Sequence, residues 1–186
     1  MALIYKPKGI TSFELVLRLK KMLNAKKVGH TGTLDPNASG LMIILINNAT
    51  KYADRFKNME KEYIGTIKLH EKIERTEVER VFKSMKGKKV LQTPPKKSAV
   101  ARKRRERKIC DLEILDFDGR NLRFRIVCEA GFYVRKFASD IGDMLGIKSH
   151  LSQLKRIRIG KFNIKDSHTI DELKDKNKWD KIIIPL

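Results

Sequence analysis

The stretch GHTGTLDPNASGLMIILI, residues 29–46, changes character at its midpoint. Gly29 to Gly40 carries three glycines, one proline and small polar side chains with no apolar period, the signature of an ordered loop. Leu41 to Ile46 is a continuous apolar run, too short for a typical helix, and reads as a strand buried on both faces. A polar loop feeding a fully buried strand places Asp35, between Leu34 and Pro36, among stiff neighbours. Upstream, Thr11-Ser12-Phe13-Glu14 reads as a capping box. The helix it opens runs to about Asn24, with Leu15, Leu19 and Leu23 inside and Lys20 and Lys21 outside.

Downstream, residues 61–70 put Tyr63, Gly65, Ile67 and Leu69 on one face of a strand. Thr76 and Glu79 suggest a second capping box, followed by Val78, Val81, Phe82 and Met85 at helical spacing. Residues 110–117 and 121–129 read as a β-hairpin turning at Asp118-Gly119. Its second strand has Leu122, Phe124, Ile126 and Cys128 on the buried face and a partly basic outer face with Arg123 and Arg125. A helix from Tyr133 to Leu145 has Val134, Phe137, Ala138, Ile141 and Leu145 as its stripe, stopped by Gly146. A strand near 154–162, a short helix capped by Thr169 with Glu172, and the run Ile182 to Ile184 close the chain. Strands outnumber helices and are partly consecutive. The fold class is therefore α+β, one domain over 1–186, with a mixed, largely antiparallel central sheet and flanking helices.

The 186 residues carry 42 Lys and Arg against 22 Asp and Glu, a formal net charge of +20. That balance excludes an acidic disordered chain and points to an anionic partner, nucleic acid first. Residues 96–108 concentrate it, with Lys96, Lys97, Arg102, Lys103, Arg104, Arg105, Arg107 and Lys108 against Glu106 alone. Such a run repels itself unless an anion is near, although a solvated loop has the same composition. Cys110 and Cys128 make no CxxC pair and read as reduced thiols of a cytoplasmic protein. No apolar run nears the roughly 18 residues of a membrane helix, so no membrane partner is expected. His30, His70, His150 and His168 lack metal-ligand spacing, so no metal site is expected.

Read singly, Asp35 fits a turn as well as a catalytic carboxylate, since burial raises an aspartate's pKa and a nearby arginine lowers it. Arg135 falls where a strand gives way to a helix; a cation in a first helical turn calls for an anionic partner such as a buried carboxylate, and an exposed arginine on the helix surface fits the same position. Tyr63 alone reads as core.

Together these residues resemble a known family. The loop GHTGTLDPNASG is similar to the catalytic signature of the TruB-type pseudouridine synthases. Lys61-Glu62-Tyr63 resembles that family's Lys-x-Tyr strand, Gly131 to Arg135 its Gly-x-Tyr-x-Arg block, and Leu154 to Arg158 its Leu-Arg-Arg strand. Residues 92–115 and Cys128 to Gly131 resemble the archaeal and eukaryal box H/ACA guide (dyskerin-like) branch, though Phe132 stands where a small polar residue is usual. The chain ends about where a C-terminal PUA domain would begin in that branch, and no PUA domain is detected.

The resemblance implies an RNA uridine isomerase needing no cofactor. Asp35 would be the catalytic carboxylate, Arg135 its partner, Tyr63 and Leu154 the packing partners of the base, and His30 a contact to the flipped nucleotide. It implies RNA, a box H/ACA guide RNA and small H/ACA particle proteins as partners. The alternatives are a stand-alone tRNA enzyme acting on the T-loop uridine, and a basic RNA-binding protein or RNA chaperone without activity. Candidate phosphate contacts are Lys6, Lys8, Lys20, Lys21, Lys26, Lys27, Arg102, Lys103, Arg104 and Arg105.

Overall fold

Thr11 opens the first helix as its sequence suggests, its side chain accepting from the Glu14 N–H at 2.9 Å. The computed structural model describes residues 1–93 and 103–185. Its chain divides into two units, Met1–Met59 with Lys155–Leu186 and Glu60–Leu154.

The first unit begins with β1 (Ala2–Lys6), α1 (Ser12–Met22), β2 (Val28–His30) and β3 (Ser39–Ile46). Both β1 and β2 lie antiparallel to β3. Leu41 to Leu45 are at most 1% exposed, so both faces of β3 are covered, as expected. Each such aliphatic side chain contributes about 1.5–3 kcal/mol by burial. Leu41, Ile43 and Leu45 pack with Met1, Leu3, Phe56 and Ile159, Phe56 coming from the short α2 (Ala53–Lys57).

The second unit begins with β4 (Lys61–Leu69), where Tyr63, Gly65, Ile67 and Leu69 are all buried. The helix α3 (Arg75–Met85) buries the expected Val78, Val81, Phe82 and Met85. Its start differs from the sequence reading. Glu74 is the cap residue, Thr76 lies inside the first turn, and Glu79 instead pairs with Arg75 at 2.8 Å.

The chain continues through β5 (Lys89–Gln92), β6 (Arg105–Phe117) and β7 (Asn121–Cys128). The hairpin turn is where it was expected. Asp118 Oδ1 accepts from the N–H groups of Arg120 and Asn121, and Gly119 takes φ +91. These four strands form an antiparallel order β4-β7-β6-β5. Arg105 to Lys108 thus belong to a strand rather than to a loop, because β5 pairs with them. Residues 94–102, including Lys96, Lys97 and Arg102, lie outside the described residues.

The outer face of β7 is less basic than expected. Arg125 donates to Glu62 at 2.6 Å and to Asp111 at 2.7 Å. Contacts from Lys86 and Arg125 hold the Asp111 carboxyl down at about 2. On the inner face, Phe124, Phe132 and Phe82 all pack against Phe137 of α4 (Val134–Met144).

Strand β8 (Ser149–Ile159) starts five residues earlier than the sequence suggests, and its last five residues belong to the first unit. There it meets β3 in parallel at Ser39↔Lys155 and Gly40↔Arg156, and turns back into β9 (Phe162–Asn163). The expected Thr169–Glu172 hydrogen bonds form, with Thr169 N–H donating to Glu172 at 2.6 Å, but the segment makes a single 3₁₀ turn, Glu172–Lys174, whose cap residue is Asp171. After α5 (Trp179–Ile182), Ile184 exchanges backbone hydrogen bonds with Met1. Of the strand pairings whose register is described, all are antiparallel except that of β3 with β8, and the expected α+β class and largely antiparallel sheet are observed. Neither cysteine is in a disulfide; Cys128 is buried and Cys110 half-buried. Among the described residues no helix is long and apolar enough to cross a membrane.

Candidate active site

The loop between β2 and β3 carries Asp35, and three side chains fasten it from different directions. Ser12, at the start of α1, donates its hydroxyl to the Leu34 carbonyl at 2.9 Å and accepts from the Leu34 N–H at 2.8 Å. Lys6, the last residue of β1, is fully buried and donates to the carbonyls of Pro7, Ile10 and Pro36. Arg156 of β8 is 1% exposed and donates to the carbonyls of Leu41, Thr33 and Gly32 at 2.8, 3.4 and 3.0 Å. Burial of a cation is costly unless its donors are satisfied, and here backbone carbonyls satisfy them. Asp35 is left half-buried on a loop pinned on both sides, next to the exposed Pro36.

The charges around this loop are coupled. Burial pushes the Lys6 ammonium down from its usual range, the Asp35 charge pushes it back up, and Arg156 lowers it. Burial, together with the charges of Arg156 and Lys57, lowers His30. Its Nδ1 and the Thr31 hydroxyl are buried without a hydrogen-bond partner among the described residues. Unsatisfied buried polar atoms are rare in folded proteins, so their occurrence one after the other beside Asp35 marks this loop.

Lys6 corrects a sequence reading, because a fully buried ammonium bound to carbonyls cannot contact phosphate. Lys8, Lys20, Lys21, Lys26 and Lys27 are exposed in the same unit. Arg156 and Ser12 were not singled out from sequence. The alternation Arg156-Ile157-Arg158-Ile159 suggests an exposed arginine, and only carbonyls 115 to 124 residues away reveal otherwise.

The second unit holds Tyr63, Arg135 and Leu154. Tyr63 is 7% exposed on β4, opposite Ile126 of β7. Leu154 is half-buried on β8, and Arg135 is the second residue of α4 with an exposed side chain. Lys103, Arg104 and Arg105 are exposed at the start of β6. Among the described residues no group of three or more His, Cys, Asp or Glu could hold a metal ion.

Comparison with known proteins gives a consistent result. The profile of the TruB family pseudouridylate synthase N-terminal domain matches residues 20–134, and that of the tRNA pseudouridylate synthase B C-terminal domain residues 135–186. A protein of Archaeoglobus fulgidus named probable tRNA pseudouridine synthase B is 42% identical over 172 residues, covering 92% of this chain and 53% of that protein. One of the same name from Methanocaldococcus jannaschii is 40% identical over 175 residues, covering 94% and 52%. A chain of a Cbf5–Nop10–Gar1 complex superposes with TM-score 0.88 at 37% identity, covering 97% of this chain and 55% of that one. A chain of an H/ACA RNP bound to a substrate RNA containing 2′-deoxyuridine gives 0.85 at 33% identity, covering 97% and 55%. The chain spans about half the length of the curated relatives it matches.

Proposed function

The chain belongs to the TruB family of pseudouridylate synthases, and from that premise we propose that residues 1–186 form one catalytic domain that isomerises uridine to pseudouridine in RNA. The observation that carries this reading is the loop around Asp35. A single carboxylate stands half-exposed on a segment fixed by Ser12, Lys6 and Arg156, in a chain 42% identical to a protein named for this reaction.

The chemistry asks little beyond placement. The N1–C1′ bond breaks, the uracil rotates, C5 bonds to C1′, and a proton leaves C5. No electrons and no groups are exchanged with another molecule. Asp35 acts either by attacking C1′ or by taking a ribose proton. Both roles call for a positioned carboxylate, and positioning can supply several kcal/mol of barrier reduction. Arg135 supplies the countercharge to Asp35. Tyr63 and Leu154 pack against the base, with Tyr63 assisting removal of the C5 proton. His30 contacts the flipped nucleotide or its neighbour. Eversion of a paired uridine costs a few kcal/mol. Backbone contacts from Lys20, Lys21, Lys26, Lys27 and the basic run Arg102 to Arg105 offset it.

Relatives in Cbf5–Nop10–Gar1 and H/ACA RNP structures support work inside a guide RNA particle with small protein partners, and the reduced-thiol reading of Cys110 and Cys128 supports a cytoplasmic location. The name probable tRNA pseudouridine synthase B supports the second reading, a stand-alone enzyme for the T-loop uridine. Asp35, Tyr63 and Arg135 occurring together weigh against an idle RNA-binding protein. The test is to incubate the chain with bulk tRNA and rRNA, with and without box H/ACA guide RNA, and to map new pseudouridines. Guide-dependent sites support the particle, and a guide-independent T-loop site supports the stand-alone enzyme. RNA binding with no new pseudouridine under either condition contradicts the isomerase reading.

A further inference from the structure

Arg135 is the second residue of α4, so the direction in which its side chain leaves the helix follows the backbone at the helix start, and that backbone is held by β5 and β6. Gln92, the last residue of β5, is 1% exposed. Its amide nitrogen donates to the Tyr133 carbonyl at 3.2 Å, and its amide oxygen accepts from the Tyr133 N–H at 2.8 Å. Tyr133 caps α4 without using its own side chain, so the Gln92 amide binds both backbone polar groups of the cap residue. Two residues earlier, the guanidinium of Arg107 lies across Gly131. A side chain at 131 would meet its Nε at 3.0 Å and its Nη2 at 3.1 Å, and Gly131 takes φ +78. Only glycine fits both demands cheaply. Next to Arg107, the Lys108 N–H donates to the Glu129 carboxylate at 3.0 Å, and the Glu129 N–H donates to the Lys108 carbonyl at 3.1 Å. Gln92 and Arg107 stand on paired strands, Gln92 opposite Arg105 and Val90 opposite Arg107.

We propose that Gln92, with Arg107, is a positioning residue that fixes the 131–133 turn to the basic β5–β6 pair and so sets where Arg135 points. The same strand pair carries Lys89, Arg105 and Lys108 on exposed surface. RNA gripped there and the arginine at the reaction centre therefore share one rigid support. The inference rests on the isomerase reading for its consequence in rate, but not for its geometry.

Gln92→Met keeps the volume and removes both hydrogen bonds. In single-turnover isomerisation of an RNA the parent converts, its rate falls on the order of 10–100-fold, while RNA affinity stays within about threefold. In an Arg135→Ala background the same change costs nothing further, because residues acting through one group are not additive. An unchanged rate, or losses that multiply in the double variant, overturns the proposal. Amide hydrogen exchange gives a readout free of activity, with protection of the Tyr133 N–H lost in Gln92→Met and kept at Ile141. Retained protection at Tyr133 overturns the proposal whether or not any RNA is converted. A parent chain that converts no RNA counts against the isomerase reading alone. Should Gln92→Met fail to fold, Gln92→Glu keeps the acceptor for the Tyr133 N–H and loses only the donor. A rate loss with partial deprotection at Tyr133 supports the proposal, and the absence of both overturns it.

Discussion

Arg135 shows how a residue's environment decides what its removal does. A fully buried ion pair broken on one side costs ~3–5 kcal/mol of stability. Arg135 is exposed and Asp35 half-buried, so that figure does not apply. Arg135→Ala is expected to lower the isomerisation rate roughly 100-fold or more while the melting temperature stays within about 2 °C, as surface substitutions change stability little. A matching fall in both would assign Arg135 to structure. His30 and Asp111 each contribute to the pH profile. His30 is lowered in the folded chain by burial and by the charges of Arg156 and Lys57. Below its ordinary pKa of 6.5 the unfolded chain takes up a proton that the folded chain resists, so stability falls as pH drops through that value. Asp111 sits at about 2 against an ordinary 3.8, so its contribution is present above pH 4 and is lost as pH falls from about 4 to 2. Thermal melts from pH 7 to 5 should show the first loss, and His30→Gln should flatten it. An unchanged slope in that variant would put the titrating group elsewhere.

At the scale of elements, the approach of β8 to β3 holds the Asp35 loop. Arg156→Met leaves the carbonyls of Gly32, Thr33 and Leu41 without their donor, and each such orphan costs ~1–3 kcal/mol. Denaturant unfolding should show a loss of about 3–5 kcal/mol, the order of magnitude of three such orphans, and a loss under 1 kcal/mol would mean that the loop holds itself. At Gly40, φ is +122 and an added Cβ would meet the Arg156 backbone at 2.2 and 2.6 Å. Gly40→Ala is expected to yield no folded protein.

Elements set by local sequence were readable in advance. Thr11 capped α1, the Val78 to Met85 stripe gave α3, and Asp118-Gly119 made its turn. The failures were non-local. Arg105 to Lys108 became strand through pairing with β5, and Glu74 displaced Thr76 as cap. The candidate catalytic residues were visible as motifs. The supporting roles of Arg156, Lys6 and Gln92 were not, because polar side chains bound to distant carbonyls and amides leave no period in the sequence.

For the whole molecule, +20 on 186 residues is a statement about association rather than fold. Every phosphate that a variant no longer neutralises makes the slope of log K against log salt shallower by roughly 0.7–0.9. Neutralising Arg102, Lys103, Arg104 and Arg105 together should weaken RNA binding and make that slope shallower by about 3. A parental slope would assign the run to solvent or to a protein partner. Arg102 lies outside the described residues, whereas the other three are exposed at the root of β6.

On the proposed reaction, the carboxylate at position 35 is the group on which the chemistry turns. The most direct measurement compares parent and Asp35→Asn for single-turnover pseudouridine formation in one RNA, alongside RNA affinity. Conversion should fall by roughly three orders of magnitude or more, with affinity nearly unchanged. An asparagine variant that isomerises uridine at the parental rate would remove Asp35 from the reaction.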